Sequence, residues 1–248
     1  VTVDIKGLDD ATVVGGQLSG DVTEDSHTTT QGRMTFTDVD TDLSKISAIA
    51  HTYTGLYGTL NVDADGSWSY SLDPAKANVL KAGEVVHDVF ASVAVTTDQG
   101  AFSRTRIDIS VHGSNDGAVI GGTDTGSVTE DRNLTAGKIA TSGQLTVTDQ
   151  DAGQNHFTAQ TDTATTYGHF SIDASGHWTY AADNSQLAIQ QLKTGDSLTD
   201  TLSVTSADGT QHTVTVSIHG VNDAPAIAST RASARLVIED APTSSITG

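Results

Sequence analysis

Tyr167-Gly168-His169-Phe170-Ser171-Ile172-Asp173-Ala174-Ser175-Gly176-His177-Trp178-Thr179-Tyr180 reads as two short strands folded about one turn. Phe170 and Ile172 precede the turn, Trp178 and Tyr180 follow it, and polar residues separate each pair. That period of two buries one face of a strand. Asp173-Ala174-Ser175-Gly176 supplies the turn, with Gly where a positive φ is needed. The same reading fits Leu60 to Tyr70, around Asp63-Ala64-Asp65-Gly66. The hairpin is therefore half of a pattern that the chain states twice.

Working outward, everything around the hairpin recurs too. Val22-Thr23-Glu24-Asp25 returns as Val128-Thr129-Glu130-Asp131, and His112-Gly113-Ser114-Asn115-Asp116 returns as His219-Gly220-Val221-Asn222-Asp223. The offsets, roughly 106 to 112 residues, match one small domain. Val1 to Asp10 reads like Val214 to Asp223, and Val237-Ile238-Glu239-Asp240 opens a further copy. The expected organisation is a closing strand over residues 1–10, whole repeats over 11–116 and 117–223, and the start of another over 224–248.

Within a repeat, His212 to Ile218, Ile107 to Val111, Gln144 to Thr148 and Arg33 to Thr37 alternate as half-buried strands, as do Val1, Val3 and Ile5. One short helical turn is expected at Asn184 to Leu192 and its equivalent at Ala75 to Leu80. Turn signals otherwise recur every eight to twelve residues or so. The expected fold is all-β: tandem antiparallel Greek-key sandwiches of about seven strands each.

Composition narrows function. Acidic residues outnumber basic ones 31 to 12, for a formal charge of −19. Such a surface excludes nucleic-acid and anionic-membrane partners, which need basic patches, and favours cations that relieve self-repulsion. Only four of the acids are Glu, and three of these, Glu24, Glu130 and Glu239, share one motif position. A recurrent Glu has no turn-forming reason to be there. With no Cys, disulfides and thiolate metal sites are excluded. No apolar run reaches the length of a membrane span, and no nucleophile elbow, Cys nucleophile, phosphate loop or zinc-spaced His pair appears. The chain is expected not to be an enzyme.

The remaining acids fall into recurring patches. Glu24-Asp25 and Glu130-Asp131 form the first. Asp38 with Asp40, and Asp149 with Asp151, form the second, where i, i+2 spacing in an extended loop turns both carboxylates to one point. Asp73 and Asp183 form the third, and the linkers Asp9-Asp10, Asn115-Asp116 and Asn222-Asp223 the fourth. Ca²⁺ takes six to eight or so hard oxygen ligands, more than one strand end supplies but within reach of a junction between two sandwiches.

This order resembles the cadherin repeat, and more closely the bacterial cadherin-like VCBS repeat of large secreted adhesins. Thr129-Glu130-Asp131, Thr148-Asp149-Gln150-Asp151-Ala152-Gly153-Gln154-Asn155, Gly168-His169-Phe170-Ser171-Ile172-Asp173, Asp208-Gly209 and Gly220-Val221-Asn222-Asp223-Ala224-Pro225 carry the resemblance. It covers essentially the whole chain. It implies Ca²⁺ as cofactor, and it adds Asp208, its ambiguous counterpart Asp98, and Asn155 to the metal-ligating candidates. Glu24 and Asp73 from one repeat, Asn115 and Asp116 from the linker, and Asp149, Asp151 and Asp208 from the next would complete one junction, with Asp25 behind them. Two departures imply fewer ions per junction, or a shell completed by water: Gly113 and Gly220 replace an acid, and so do Ala75 and Ser185.

The resemblance further implies a structural extender of a bacterial cell-surface or biofilm adhesin, extracellular and monomeric, whose partners are its neighbouring repeats. The alternative is a module that itself recognises a host glycan or protein. Trp68, Trp178, Tyr70 and Tyr180 read as core filler rather than a sugar platform, and Asp63, Asp65 and Asp173 as turn formers.

Overall fold

A computed structural model of the chain describes residues 2–5 and 10–224; Asp9 and the expected opening of a further repeat after residue 224 lie outside the described residues. The first module runs β1 (Val13–Gly16), β2 (Ser19–Thr23), β3 (Thr29–Thr37), β4 (Ile46–Ala48), β5 (His51–Thr54), β6 (Gly58–Val62), β7 (Ser67–Leu72), α1 (Pro74–Ala77), β8 (Val85–Thr97) and β9 (Phe102–His112). The second repeats it: β10 (Val119–Gly122), β11 (Thr125–Thr129), β12 (Lys138–Thr148), β13 (Gln160–Ala164), β14 (Gly168–Ile172), β15 (His177–Asp183), α2 (Leu187–Gln190), β16 (Ser197–Thr205) and β17 (Gln211–His219).

Each module is a two-sheet sandwich. The orders are β1-β3-β7-β6-β5 over β2-β9-β8-β4, then β10-β12-β15-β14-β13 over β11-β17-β16. The modules are the expected largely antiparallel sandwiches, with one parallel pairing in each. The opening strand breaks at Gly16 and at Gly122, both with positive φ, where a side chain would meet the backbone of the strand opposite. The chain then crosses to the other sheet without reversing. Ser19 to Thr23 therefore pairs parallel with Asp108 to His112, and Thr125 to Thr129 parallel with Thr215 to His219. This split also lifts the strand number above seven.

The apolar faces meet in two separate cores. Trp68, Tyr70, Leu60, Met34, Ile107 and Ile109 fill the first, and Trp178, Tyr180, Phe170, Phe157, Leu145 and Ile218 the second. Both Trp are buried, and their indole N–H groups donate to the Gln17 carbonyl at 2.8 Å and the Thr123 carbonyl at 2.7 Å, just where the opening strand changes sheets. They are core, as read from the sequence. The helical turns are shorter than expected, because Asp73 caps Pro74 directly and Gln186 opens the other. Residues 2–5 form no strand, and Val3 and Ile5 stand exposed, since no described strand lies beside them.

The Tyr-Gly dipeptide, Tyr57-Gly58 in the first module and Tyr167-Gly168 in the second, has a physical origin. Asp88, 2 % exposed, accepts from the amides of Leu56, Tyr57 and Gly58 and from the Tyr70 hydroxyl. Asp200 does the same for Thr166, Tyr167, the Thr165 hydroxyl and Tyr180. A buried carboxylate is tolerated when several donors saturate it. Gly58 and Gly168 are Gly because a Cβ there would overlap the ring of Tyr70 or Tyr180.

Candidate metal centre

The parallel pairing of β2 with β9 places the recurrent Glu. Thr23 stands opposite His112, and the Glu24 amide donates to the His112 carbonyl at 3.0 Å. Glu24 thus lies against the chain as it leaves the module, 1 % exposed, and its Oε2 accepts from the Ser114 amide at 3.2 Å. In the second module the Glu130 amide donates to His219, and Oε1 accepts from the Val221 amide at 2.7 Å. The Glu of the motif is a hook for the outgoing linker.

The second module grips the same linker from the other side. The Asp116 amide donates to Asp151 Oδ2 at 3.3 Å, and the Ala118 amide to Asp208 Oδ2 at 3.0 Å. Gln154 donates to Asp151 Oδ2 at 3.0 Å, and Asn155 closes the loop by accepting from the Asp149 amide at 2.7 Å. The modules also touch directly: the Ala152 amide donates to the Val79 carbonyl at 3.1 Å, and the Asn78 amide meets Gln150 at 2.8 Å.

What the junction leaves unpaired is its main chemical feature. Asp116 Oδ2, Asp149 Oδ2 and Asp151 Oδ1 are buried without a hydrogen-bond partner, and Asp151 is 0 % exposed. Among the described residues none of Glu24, Asp116, Asp149, Asp151 and Asp208 makes an ion pair. Burial raises Asp151 above the ordinary carboxylate range; the Asp116 amide opposes this, and the charges of Asp149, Asp116 and Asp208 add to it. Burial also raises Asp116, with Asp25 and Asp149 adding. Glu24 is raised by burial against the Ser114 amide, then by Asp116, Asp25 and Asp151. Asp208 is the exception: burial would raise it, but donors on Ser206, Thr210 and Ala118 hold it well below the ordinary range.

Bare buried oxygens of one charge sign call for a cation. Among the described residues no three His, Cys, Asp or Glu side chains are closed on one ligating point. What fits a hard divalent cation is the donor set itself, all oxygen and all from the residues that converge here.

Other expected ligands lie elsewhere. Asp73 caps α1 at the Ala75 amide and leans on Lys76, and Asp183 accepts from Ser185. Asp98 pairs with Lys45 at 3.2 Å. The turn geometry resolves its alignment: Gly100 and Gly209 share a positive φ, so Gln99, not Asp98, stands at the Asp208 position. Asn155 shapes the Asp149 loop instead of offering an oxygen outward. Asp25 and Asp131 both hold positive φ beside the hook. Asp131 is tied to Asn184 at 2.7 Å, which with Gln190 holds it below the ordinary range, and Asp223 is raised by burial and by Asp131. At the second junction Glu130 Oε2 is also buried without a hydrogen-bond partner. At the first, Asp10 donates its amide to Asp40 Oδ2 at 2.8 Å, as Asp116 does to Asp151. Asn115 and Asn222 are exposed, each donating its amide to the carbonyl of the next residue.

The missing acid at Gly113 has a steric cause. A Cβ there would fall against the Leu80 and Lys81 backbone, and at Gly220 against Leu192 and Lys193. No ligating side chain fits. Sequence reasoning missed Asn78, Gln150 and Gln154, because neutral amides carry no recurrent signal.

Residues 9–113 and 115–220 each match the family model described as the bacterial cadherin-like domain. No curated protein matches the chain. Among solved structures it is similar to the protocadherin GammaB4 extracellular domain, at 14 % identity over 89 % of this chain and 34 % of that one, with a TM-score of 0.48. It is similar to Drosophila N-cadherin EC1-4 at 13 % identity, covering 86 % and 50 %, TM-score 0.45. A third is the human Desmocollin-1 ectodomain, at 14 % identity, covering 86 % and 42 %, TM-score 0.40. The chain thus spans between about a third and a half of these structures' length.

Proposed function

The chain belongs to the bacterial cadherin-like domain family, and from that premise we propose that it is a calcium-dependent spacer in a secreted bacterial adhesin. Its work is mechanical: to hold consecutive modules in line. The observation that carries this reading is the set of bare, buried carboxylate oxygens on Asp116, Asp149 and Asp151 where the two modules meet.

The chain's own residues do most of the positioning. Glu24 and Asp151 hold the linker amides from opposite sides, and Ala152 and Val79 bring the two loops into contact. Gly113 is pinned by its amide to the Glu84 carbonyl at 2.9 Å, leaving Ser114 to Gly117 as the segment able to bend. Glu24, Asp116, Asp149 and Asp151 would hold the Ca²⁺, which supplies the positive charge that lets these carboxylates share a dry space, while Asp208 anchors the linker through the Ala118 amide. Bending the linker would separate oxygens contributed by different modules, so cation affinity becomes resistance to bending.

Among the described residues no helix is long and apolar enough to cross a membrane. The alternative of glycan recognition loses its readiest platform, since both Trp are buried. Calorimetric Ca²⁺ titration of the parent and of a variant with Asp149→Ala and Asp151→Ala tests the proposal. Tight uptake at this junction should vanish in the variant while both modules stay folded. An unchanged ion count would refute the ligand assignment.

A further inference from the structure

The two modules present the same loop to their upstream linkers, yet the chemistry differs at one facing position. In the second module Val119 pairs with Thr148 and Ile120 with Val147, so one step further Ala118 faces Asp149. In the first module Val13 pairs with Thr37, so Thr12 faces Asp38. Thr12, 7 % exposed, donates its hydroxyl to Asp38 Oδ2 at 2.8 Å. The other oxygen of Asp38 accepts from the amides of Asp40 and Thr41, each at 3.0 Å. Asp38 is saturated. Ala118 has no hydroxyl, and Asp149 Oδ2 is the oxygen left buried and bare.

We propose that the residue opening each module's first strand, Thr12 or Ala118, sets how tightly that module's entry junction holds a divalent cation. This deepens the calcium reading and rests on it. Where Thr stands, its hydroxyl holds Asp38 Oδ2 in a hydrogen bond with which a cation must compete. Where Ala stands, the oxygen of Asp149 is free. A hydrogen bond to an ionised group stabilises enough that breaking it weakens binding about ten- to a hundredfold. The entry loop around residues 114–118 therefore takes up the cation at a lower concentration than the one around residues 10–12.

The test transplants the first module's residue into the second, in the full 248-residue chain. Ala118→Thr leaves every acid in place, and Thr12 shows that the fold seats a Thr at this position. Ala118→Val supplies the same bulk without the hydroxyl. Calorimetric Ca²⁺ titration should show Ala118→Thr weaker than the parent at the junction by about ten- to a hundredfold and melting above the parent in chelator, with Ala118→Val near the parent in both. Parent-like affinity in Ala118→Thr overturns the inference while leaving the calcium reading intact, and so does equal weakening in Ala118→Val. No uptake by the parent overturns both.

Discussion

Replacing Asp151 with Asn should make the protein more stable without calcium and less stable with it. Asp151 is fully buried, its Oδ1 has no partner, and the charges of Asp149, Asp116 and Asp208 act on it. An Asn keeps one oxygen for the Asp116 amide and Gln154, which both reach Oδ2, and removes the uncompensated charge. Leaving such a group unsatisfied costs about 1–3 kcal/mol, so the variant in chelator should melt higher by roughly 4–12 °C for a module of this size. With Ca²⁺ at a thousandfold excess over Kd the parent gains about 4.1 kcal/mol by linkage, most of which the variant forgoes. The melting order should therefore invert between chelator and saturating Ca²⁺, read by calorimetric melts of both proteins in both buffers. If Asp151→Asn melts below the parent in chelator, Asp151 is a structural acceptor and not a bare charge awaiting a cation.

Acidification in chelator should first stabilise. Glu24, Asp116 and Asp151 have raised folded-state pKa values, so the native state binds protons more tightly than the unfolded one, and their contribution is complete below the ordinary carboxylate range and lost as pH rises past the raised values. Melting temperature should climb as pH falls from neutrality toward that range and then drop below it, where Asp208 and Asp200, both held low, are protonated; a steady fall throughout would contradict the cluster's electrostatics. Asp200→Ala removes the acceptor for three amides and two hydroxyls and should destabilise the second module by about 3–5 kcal/mol in denaturant titrations, equally with and without Ca²⁺. A calcium-dependent loss would mean the Tyr-Gly loop is coupled to the junction.

The sandwich was legible in the sequence because period-two alternation and a repeated hairpin register are local signals. The sheet switch at Gly16 and Gly122 was not, since nothing local distinguishes a Gly that redirects a strand from one that ends it. At the candidate site, recurrence of scarce or paired acids points to Glu24, Asp116, Asp149 and Asp151, which the fold gathers around one linker. Asp73, Asp98 and Asp183 shared the acid's chemistry but not its position: two cap local turns and one pairs with Lys45. The role of Thr12 was invisible, because a hydroxyl at a strand head has meaning only once the register puts it opposite Asp38.

The central claim, that a cation stiffens the junction, is tested most directly by the distance between the modules. The chain has no Cys, so Gln31→Cys and Ser142→Cys, both at exposed strand positions, accept a spin-label pair cleanly. Pulsed dipolar spectra should give one narrow distance distribution in Ca²⁺ and a distinctly broader one in chelator, with Asp149→Ala and Asp151→Ala together giving the broad form in both. Equally narrow distributions with and without Ca²⁺ would show that direct contacts such as Ala152 to Val79 suffice to align the modules, and would contradict the account.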